Sequence, residues 1–199
     1  MKKLKRTHKQ NISTAENRGV SVKSGNQLEH IHQYYQLQLE TRRRHGVPAQ
    51  PWAYFKEVAL TLFSQGLGFV LLAFYEDNCI AGIVFLHWHN TVIAKYAASK
   101  EDSLQLRPNN LLFWKGIEWA CEHGYTIFDF GRTEASNSGL RRYKRGWGAI
   151  EEPLSYSYFS DKAVPDLSGK SQQLTQSLIR KSPLWLCRVS GELLYRHFG

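Results

Sequence analysis

Three apolar segments in the middle of the chain are separated only by short polar turns, and they constrain the fold more than any other feature. They cover residues 69–75, 79–88 and 91–98 and are rich in apolar and β-branched side chains. The pairs between them, Asp77 with Asn78 and His89 with Asn90, are turn formers. Because such short connections join antiparallel neighbours, the sequence predicts an antiparallel meander of three strands.

Segments with helical spacing lie before and after the meander. A polar helix is predicted over 4–18, ended by Gly19 and followed by a short strand at 20–22. Asn26 is predicted to cap a second helix that runs to about Arg44. The remaining predictions are a helix over 51–66, a helix over 108–124, an apolar and therefore central strand at 126–130, a basic helix over 138–147 and a last strand at 154–159.

The order of these elements is typical of an α/β (α+β) fold, in which helices flank a mixed central sheet. The helix over 108–124 would cross over from the third strand of the meander to a parallel neighbour. A chain of 199 residues fits one domain of ordinary size.

The charge of the chain is strongly basic, with a formal net charge of +9 and a pI of about 9.5. The excess lies in clusters near the N-terminus, at 42–44 and at 141–145. Such clusters favour polyanions, so tRNA, a pyrophosphate-bearing ligand and an anionic membrane surface are open alternatives, and a solvated basic face is another.

Cysteine and histidine usage does not indicate a metal site. Cys79, Cys121 and Cys187 are far apart and lack metal-ligand spacing, which favours a reduced cytoplasmic protein. His87 and His89 share one face of a strand, but no third ligand is evident nearby, so no metal is expected there.

Five ordered motifs lie between residues 96 and 154. The motifs are YAAS at 96–99, LRPNNLLFW at 106–114, FDFGR at 128–132, GLRRYKRGWGA at 139–149 and PL at 153–154. Their succession resembles the C-terminal GNAT-like domain of the Fem-type peptidyltransferases and the acetyltransferase-like proteins related to them, over residues 4–159.

The resemblance implies a GNAT-like acyl-CoA N-acyltransferase fold and an enzyme that transfers an acyl group to an amine. The acceptor would be a cell-envelope component, either a peptidoglycan precursor or a polysaccharide. The implied cosubstrate is acyl-CoA or aminoacyl-tRNA, with no bound cofactor. Two alternatives stay open, namely an aminoacyl-tRNA-dependent peptidoglycan bridge aminoacyltransferase and a non-catalytic half-domain that binds polyanions.

Catalytic roles fall on three residues. Tyr143 and Lys144 match the family's Phe–Lys pair, and the lysine would stabilise a developing oxyanion or hold the donor phosphate, although the residue type alone also fits a surface lysine. Arg132 follows the strand at 126–130, where α/β sheets tend to place ligands.

Substrate or donor binding is predicted for six further residues. Asp129 ends the same strand, and the alternative to a binding role is a purely structural ion pair. Asn109 and Asn110 begin a helix and would either bind an anion or simply cap that helix. No glycine lies between 99 and 110, unlike the pyrophosphate loop of ordinary GNAT enzymes, which leaves room for aminoacyl-tRNA. The six are Tyr96, Arg107, Asn109, Asn110, Asp129 and Trp147.

The resemblance also implies a domain organisation. Fem-type proteins usually hold two GNAT-like domains, so residues 1–24 are expected to be a remnant of an interdomain helix and strand, and 25–160 the GNAT-like domain. Residues 161–199 would form a linker and an amphipathic basic helix, whose apolar and basic residues at 177–198 suit a membrane surface or a missing partner. A separate N-terminal half or a homodimer would complete the enzyme, in the cytoplasm or at the inner face of the membrane.

Overall fold

The computed structural model describes residues 4–157, 159 and 170–195. Of the linker and helix predicted over 161–199, residues 161–169 and 196–199 lie outside this part. The strands are β1 (Ser21–Gly25), β2 (Gly68–Tyr75), β3 (Asn78–Trp88), β4 (Thr91–Ser99) and β5 (Ile127–Asp129). The helices are α1 (Arg6–Asn17), α2 (Leu28–His45), α3 (Trp52–Glu57) continued by a π-helical segment (Val58–Phe63), α4 (Pro108–Glu122) preceded by a 3₁₀ turn (Leu104–Leu106), α5 (Ser138–Gly146), α6 (Lys170–Lys181) and α7 (Leu184–Tyr195).

The sheet confirms the meander. Its strand order is β1-β2-β3-β4-β5, with antiparallel pairing from β1 to β4 and parallel pairing of β4 with β5. Helix α4 is the crossover between the two parallel strands, as predicted. The mixed sheet and its flanking helices therefore agree with the expected fold class.

The prediction that 126–130 forms a central strand is wrong. β5 is the outermost strand of the sheet and pairs with β4 over three residues. Phe128 and Phe130 pack under α4 and α5, whereas Ile127 is 50% exposed. A run of five mostly apolar residues does not reveal whether one face or both faces are covered.

The predicted strand at 154–159 is also wrong in the part that the structure describes. Residues 154–157 and 159 have no regular secondary structure, and Leu154, Tyr156 and Phe159 are exposed. Alternating apolar residues form a strand only when a neighbouring edge supplies hydrogen bonds. No described strand pairs with this segment.

Two helical layers cover the sheet. One face carries α2, α3 and the π-helical segment, with α6 and α7 packed outside them, around buried residues such as Tyr34 and Phe55. The other face carries α1, α4 and α5 around Phe85 and Leu112. Strand β1 pairs with β2 and α1 packs on α4, so residues 6–25 are integral to these layers.

Helix α2 begins one residue later than predicted. Gln27 rather than Asn26 precedes the first helical residue, and its backbone N–H donates to Nδ1 of His30 at 3.4 Å. The segment predicted as one helix over 51–66 is α-helical to Glu57 and then π-helical. Both differences are local and leave the layers unchanged.

A β-bulge in β4 creates the feature that positions the site. Val84 pairs with Tyr96, but Phe85 pairs with Ala94, so Lys95 is an extra residue. The bulge shifts the alternation of side chains between the two faces: Val92 and Ala94 lie on the α4 face, whereas Tyr96 and Ala98 lie on the face of α2 and α3. The pairing of β4 with β5 ends at Ile93, two residues before the bulged Lys95, so no described strand pairs with β4 on that side from Ala94 onwards.

Candidate active site

The unpaired edge of β4 after Ile93, on the side of β5, is called the strand split. At its start the chain turns at Gly131, whose φ of +71° suits glycine. The Asp129 carboxylate accepts a hydrogen bond of 2.6 Å from the Gly131 N–H and so holds this turn. A Cβ on Gly131 would lie 3.6 Å from the Ala94 carbonyl oxygen, which places the turn against the bulged part of β4.

Lys144 reaches the same turn from α5. Its Nζ donates to the carbonyl oxygens of Gly131 at 2.7 Å and Arg132 at 3.3 Å. The side chain is half-buried, and desolvation lowers the pKa of Lys144, while the charge of Asp129 acts in the opposite direction. An ammonium group has three N–H donors, so one donor is left for a ligand.

The structure therefore brings Lys144, Arg132 and Asp129 together at one turn. The Arg132 side chain is directed to Tyr156: its Nη1 donates to the Tyr156 hydroxyl at 3.0 Å, and its guanidinium lies 5.8 Å from the ring centroid. The carboxylate of Asp129 holds the turn through its hydrogen bond to Gly131, and its negative charge raises the pKa of Lys144.

Tyr143 and Trp147 lie beneath this turn rather than in it. Their rings pack against Phe113 at 6.0 and 6.1 Å, inside the layer formed by α1, α4 and α5. Burial raises the pKa of Tyr143 above its ordinary value, so the hydroxyl stays protonated. Both residues consequently support α5 through packing.

Tyr96 lies on the opposite face of the sheet because of the bulge at Lys95. Its hydroxyl shares a 2.8 Å hydrogen bond with the hydroxyl of Tyr54, and its ring contacts Phe55. Burial raises the pKa of Tyr96, with the Tyr54 hydrogen bond acting in the same direction. The structure thus separates the Tyr96 ring from Tyr143 and Trp147.

The N-terminus of α4 lies beside the end of β4. Arg107 precedes it with an exposed side chain and a left-handed backbone, φ 60°, and Pro108 supplies no N–H. Asn109 donates from Nδ2 to the Ser99 Oγ at 3.4 Å, and its Oδ1 is buried without a partner among the described residues. Asn110 is buried and contacts Nδ1 of His8 through its Nδ2 at 2.8 Å.

The alternative expectation that an asparagine caps α4 is wrong. No side-chain cap hydrogen bond is formed at this helix, because Arg107 occupies the capping position and the asparagines fall at the second and third helical positions. There the amides bond sideways, to Ser99 and to His8. Asn109 is therefore the asparagine with a polar atom still to be satisfied.

Sequence reasoning missed two features that shape the site. The bulge at Lys95 has no marker in the sequence, since glycine and proline are both absent from β4. His8 is one histidine in a polar helix, and nothing nearby in sequence indicates its contacts with residues more than a hundred positions away. Both features depend on tertiary packing.

The described residues contain neither a cluster of metal ligands nor a helix that could span a membrane. Within them, no three His, Cys, Asp or Glu side chains are grouped so that they could hold a metal ion. His87 instead shares a 2.6 Å hydrogen bond with the Tyr125 hydroxyl, and burial lowers its pKa. None of the described helices has the length and apolar character needed to cross a bilayer.

Comparison with known proteins gives one family. Residues 2–145 match the family model described as acetyltransferase (GNAT) domain. Over 116 residues the chain is 28% identical to lipid II:glycine glycyltransferase of Staphylococcus epidermidis, in an alignment that covers 54% of this chain and 28% of that enzyme. The chain thus spans well under half the length of this curated relative.

Solved structures agree on the fold. FemX superimposes with a TM-score of 0.67 at 16% identity, covering 74% of this chain and 54% of FemX. An aminoglycoside acetyltransferase from an uncultured soil metagenomic sample superimposes with a TM-score of 0.56 at 14% identity, covering 74% of this chain and 99% of that one. AAC(6')-Iy, solved with a CoA-based bisubstrate analogue, superimposes with a TM-score of 0.56 at 11% identity, covering 72% of this chain and 99% of that one. Each of these likenesses covers about three quarters of this chain.

Proposed function

This chain belongs to the acetyltransferase (GNAT) domain family, and on that premise we propose that it transfers an acyl group to an amine of a cell-envelope precursor. The family makes it an enzyme of the acyltransferase type. Lys144 carries the proposal, because its half-buried ammonium lies at the mouth of the strand split with one N–H donor still unused. The acceptor class, a peptidoglycan precursor or a polysaccharide, is supported by the likeness to lipid II:glycine glycyltransferase.

The reaction that fits this arrangement passes through a tetrahedral intermediate. An attacking amine adds to the acyl carbonyl, negative charge develops on the carbonyl oxygen, and a fixed donor in a poorly solvated site stabilises that charge. Carbonyls of the turn at 131–132 hold the Lys144 ammonium in place, so little reorganisation is needed when the charge appears. The collapse of the intermediate then breaks the bond between the acyl carbon and the donor's leaving group, and the proton that the attacking amine loses passes to the leaving group or to water.

The free edge of β4 supplies a place for an extended donor. Beyond Ile93 no described strand pairs with β4 on the side of the split. An extended ligand with amide groups binds such an edge by main-chain hydrogen bonds. We therefore place the acyl donor along residues 94–99, with its reactive carbonyl towards Lys144 and its distal end towards Arg107 and Asn109.

The start of α4 offers few groups to a pyrophosphate. Pro108 has no N–H, and the Asn110 N–H is bonded to the Arg107 carbonyl at 3.1 Å. What remains for a phosphate is the exposed Arg107 guanidinium and the Asn109 N–H, because the buried Asn109 Oδ1 can only accept a hydrogen bond. These groups fit acyl-CoA with a reduced phosphate cradle, and they also fit a donor without pyrophosphate at this point.

A second candidate is therefore aminoacyl-tRNA-dependent transfer to a peptidoglycan precursor. Two observations favour it: the small phosphate cradle at Arg107 and Asn109, and the relative whose name is lipid II:glycine glycyltransferase. The basic character of the chain suits a tRNA donor as well. The two candidates share the role of Lys144 and differ in the donor.

Ligand-induced stabilisation separates the donors. A ligand at about a hundred times its dissociation constant adds about 2.7 kcal/mol to the native state. We expect acetyl-CoA to raise the melting temperature of the purified chain, and Arg107→Ala to reduce this shift. Arg6→Ala, which removes an exposed arginine on α1, serves as the matched control and is expected to retain it.

A shift with charged tRNA alone would support the aminoacyl-tRNA candidate. Free CoA, tested beside acetyl-CoA, shows whether the acyl group itself contributes. If acetyl-CoA, CoA and charged tRNA all leave the melting temperature unchanged, donor binding by this chain is contradicted.

Helix α7 supports a peripheral position at the inner face of the membrane. Its inner side packs on the domain through Cys187 and Gly191, both of which are buried. Its outer side exposes Trp185, Val189 and Leu193. Arg188 on the same helix and Arg180 and Lys181 at the end of α6 are exposed basic residues. An apolar stripe with basic neighbours suits an anionic bilayer surface, where a lipid-linked acceptor would lie.

Vesicle flotation tests this position. We expect the chain to float with vesicles that contain phosphatidylglycerol and to bind vesicles of phosphatidylcholine poorly. Trp185→Glu should reduce flotation, because a charge replaces the largest exposed apolar side chain of α7. Trp88→Glu is the matched control, since Trp88 is equally exposed but lies at the β3–β4 turn. Equal loss in both variants, or flotation indifferent to lipid charge, would contradict the proposal.

A further inference from the structure

His8 joins three helices although it lies on the polar helix α1. The residue is 6% exposed. Its Nε2 lies 3.1 Å from the Tyr143 carbonyl oxygen on α5, and its Nδ1 lies 2.8 Å from the Asn110 Nδ2 on α4. Both ring nitrogens are thus engaged, one with the helix that carries Lys144 and the other with the start of α4.

The ring of His8 also packs against two aromatic rings and the backbone of α5. It stacks on Trp147 at 4.5 Å between centroids and meets Tyr143 edge to face at 5.0 Å. Gly146 gives the space for this approach, because a Cβ there would overlap the imidazole. The Lys5 N–H donates to the Gly146 carbonyl at 2.9 Å and fixes the same end of α5.

These contacts select one form of the imidazole. The Tyr143 carbonyl only accepts, so Nε2 carries the proton and donates, while Nδ1 accepts from the Asn110 amide. Protonation of Nδ1 would place two donors face to face. Burial lowers the pKa of His8, the Tyr143 carbonyl raises it to a smaller extent, and Lys5 is the charged group that faces the ring and lowers it further. The neutral form is therefore the bound form.

We infer that His8 is a positioning residue, whose neutral imidazole locks α5 to the N-terminus of α4 and thereby fixes the distance between Lys144 and the donor-binding groups Arg107 and Asn109. It acts through Tyr143 and Asn110 and touches no reacting atom. The inference rests on the proposed role of Lys144 in transfer. It adds a requirement that the strand split alone does not impose, namely that α1 must be docked for the site to be assembled.

Hydrogen exchange tests the lock without any substrate. His8→Phe keeps an aromatic ring against Trp147 but removes both hydrogen bonds. We expect amides of 138–147 to exchange about tenfold faster in this variant, while amides of β2 and β3 keep their protection. His32→Phe makes the same change at an exposed position on α2 and should leave both regions unchanged.

A conservative variant separates positioning from simple destabilisation. In His8→Gln the side-chain amide can still donate to the Tyr143 carbonyl, so protection of 138–147 should be largely restored. Asn110→Leu removes the other half of the lock and is the alternative if His8→Phe does not fold. Unchanged exchange in α5, or an equal loss of protection in α5 and the sheet, overturns the inference.

Turnover then links the lock to catalysis. With the donor identified by thermal shift, His8→Phe should lower kcat more than it changes KM. Because burial lowers the pKa of His8, kcat of the wild type should fall only as the pH drops below the ordinary histidine range and through this lowered pKa, and His8→Phe should lack that decline. If α5 loosens as expected but Lys144→Ala keeps its turnover, the lock stands and the proposed role of Lys144 fails.

Discussion

Replacing Lys144 by alanine is expected to lower turnover by about 10²–10³-fold, the usual effect of removing one donor to a developing oxyanion. The ammonium lies at the mouth of the strand split, held by the carbonyls of Gly131 and Arg132. Its loss removes the charge that stabilises the tetrahedral intermediate. Steady-state kinetics should show the loss mainly in kcat, since the donor's distal contacts at Arg107 and Asn109 are intact.

Arg145→Ala is the matched control for this prediction. Arg145 neighbours Lys144 on α5, but its side chain is exposed and pairs with Glu151 at 2.8 Å. Because exposed ion pairs contribute about 0–1 kcal/mol, we expect little change in stability or turnover. Full turnover in Lys144→Ala, with the fold confirmed by its melting temperature, would remove Lys144 from the mechanism.

The pH dependence gives an independent check on Lys144. Burial lowers its pKa below the ordinary value of 10.5 in the folded protein. The charged form is the active form, so turnover should fall as the pH rises through this lowered pKa, earlier than an exposed lysine would allow. Lys144→Arg keeps the charge at all these pH values, so the alkaline decline should disappear while some activity remains.

The meander was predictable because its signals are local. Apolar β-branched runs and short polar turns determine this part of the fold without any distant contact. The turn at His89 and Asn90 is as predicted, whereas the first turn is formed by Glu76 and Asp77, one residue earlier than predicted, and Asn78 already belongs to β3. The positions of β5 and of residues 154–157 were not predictable in this way. Whether a short apolar segment is central, at an edge or outside the sheet depends on which other segments cover it, and its own residues do not encode that.

The candidate site, too, was only partly predictable from the sequence. Family resemblance indicated Lys144, and the end of a strand indicated Arg132 and Asp129. The structure brings these three residues to one turn. Tyr96 and Asn110 have other surroundings, since one extra residue at Lys95 turns the Tyr96 ring to the other face. Asn110 bonds instead to a histidine 102 positions away. The roles assigned to individual side chains at the site stay predictions.

Phe85, the first residue of β3 after the register shift, is the residue whose replacement should affect stability most. Its side chain is fully buried, stacks on Phe69 at 5.2 Å and lies under Gly116 of α4. Phe85→Ala should cost about 3–5 kcal/mol of unfolding free energy, because it removes a buried ring and leaves a cavity. Phe159→Ala, at a position that is 98% exposed, is the control and should cost almost nothing in denaturant unfolding.

The contact of Phe85 with Gly116 also determines how closely α4 lies on the sheet, and therefore where its N-terminus stands relative to the split. A Cβ on Gly116 would come 2.5 Å from Cζ of the ring, so Gly116→Ala should cost about 1–3 kcal/mol through overpacking. In Phe85→Leu the smaller side chain gives that methyl group room, so the double variant should cost less than the sum of the two single ones. Additive costs would mean that Gly116 and Phe85 act independently, and that this contact does not hold α4 in place.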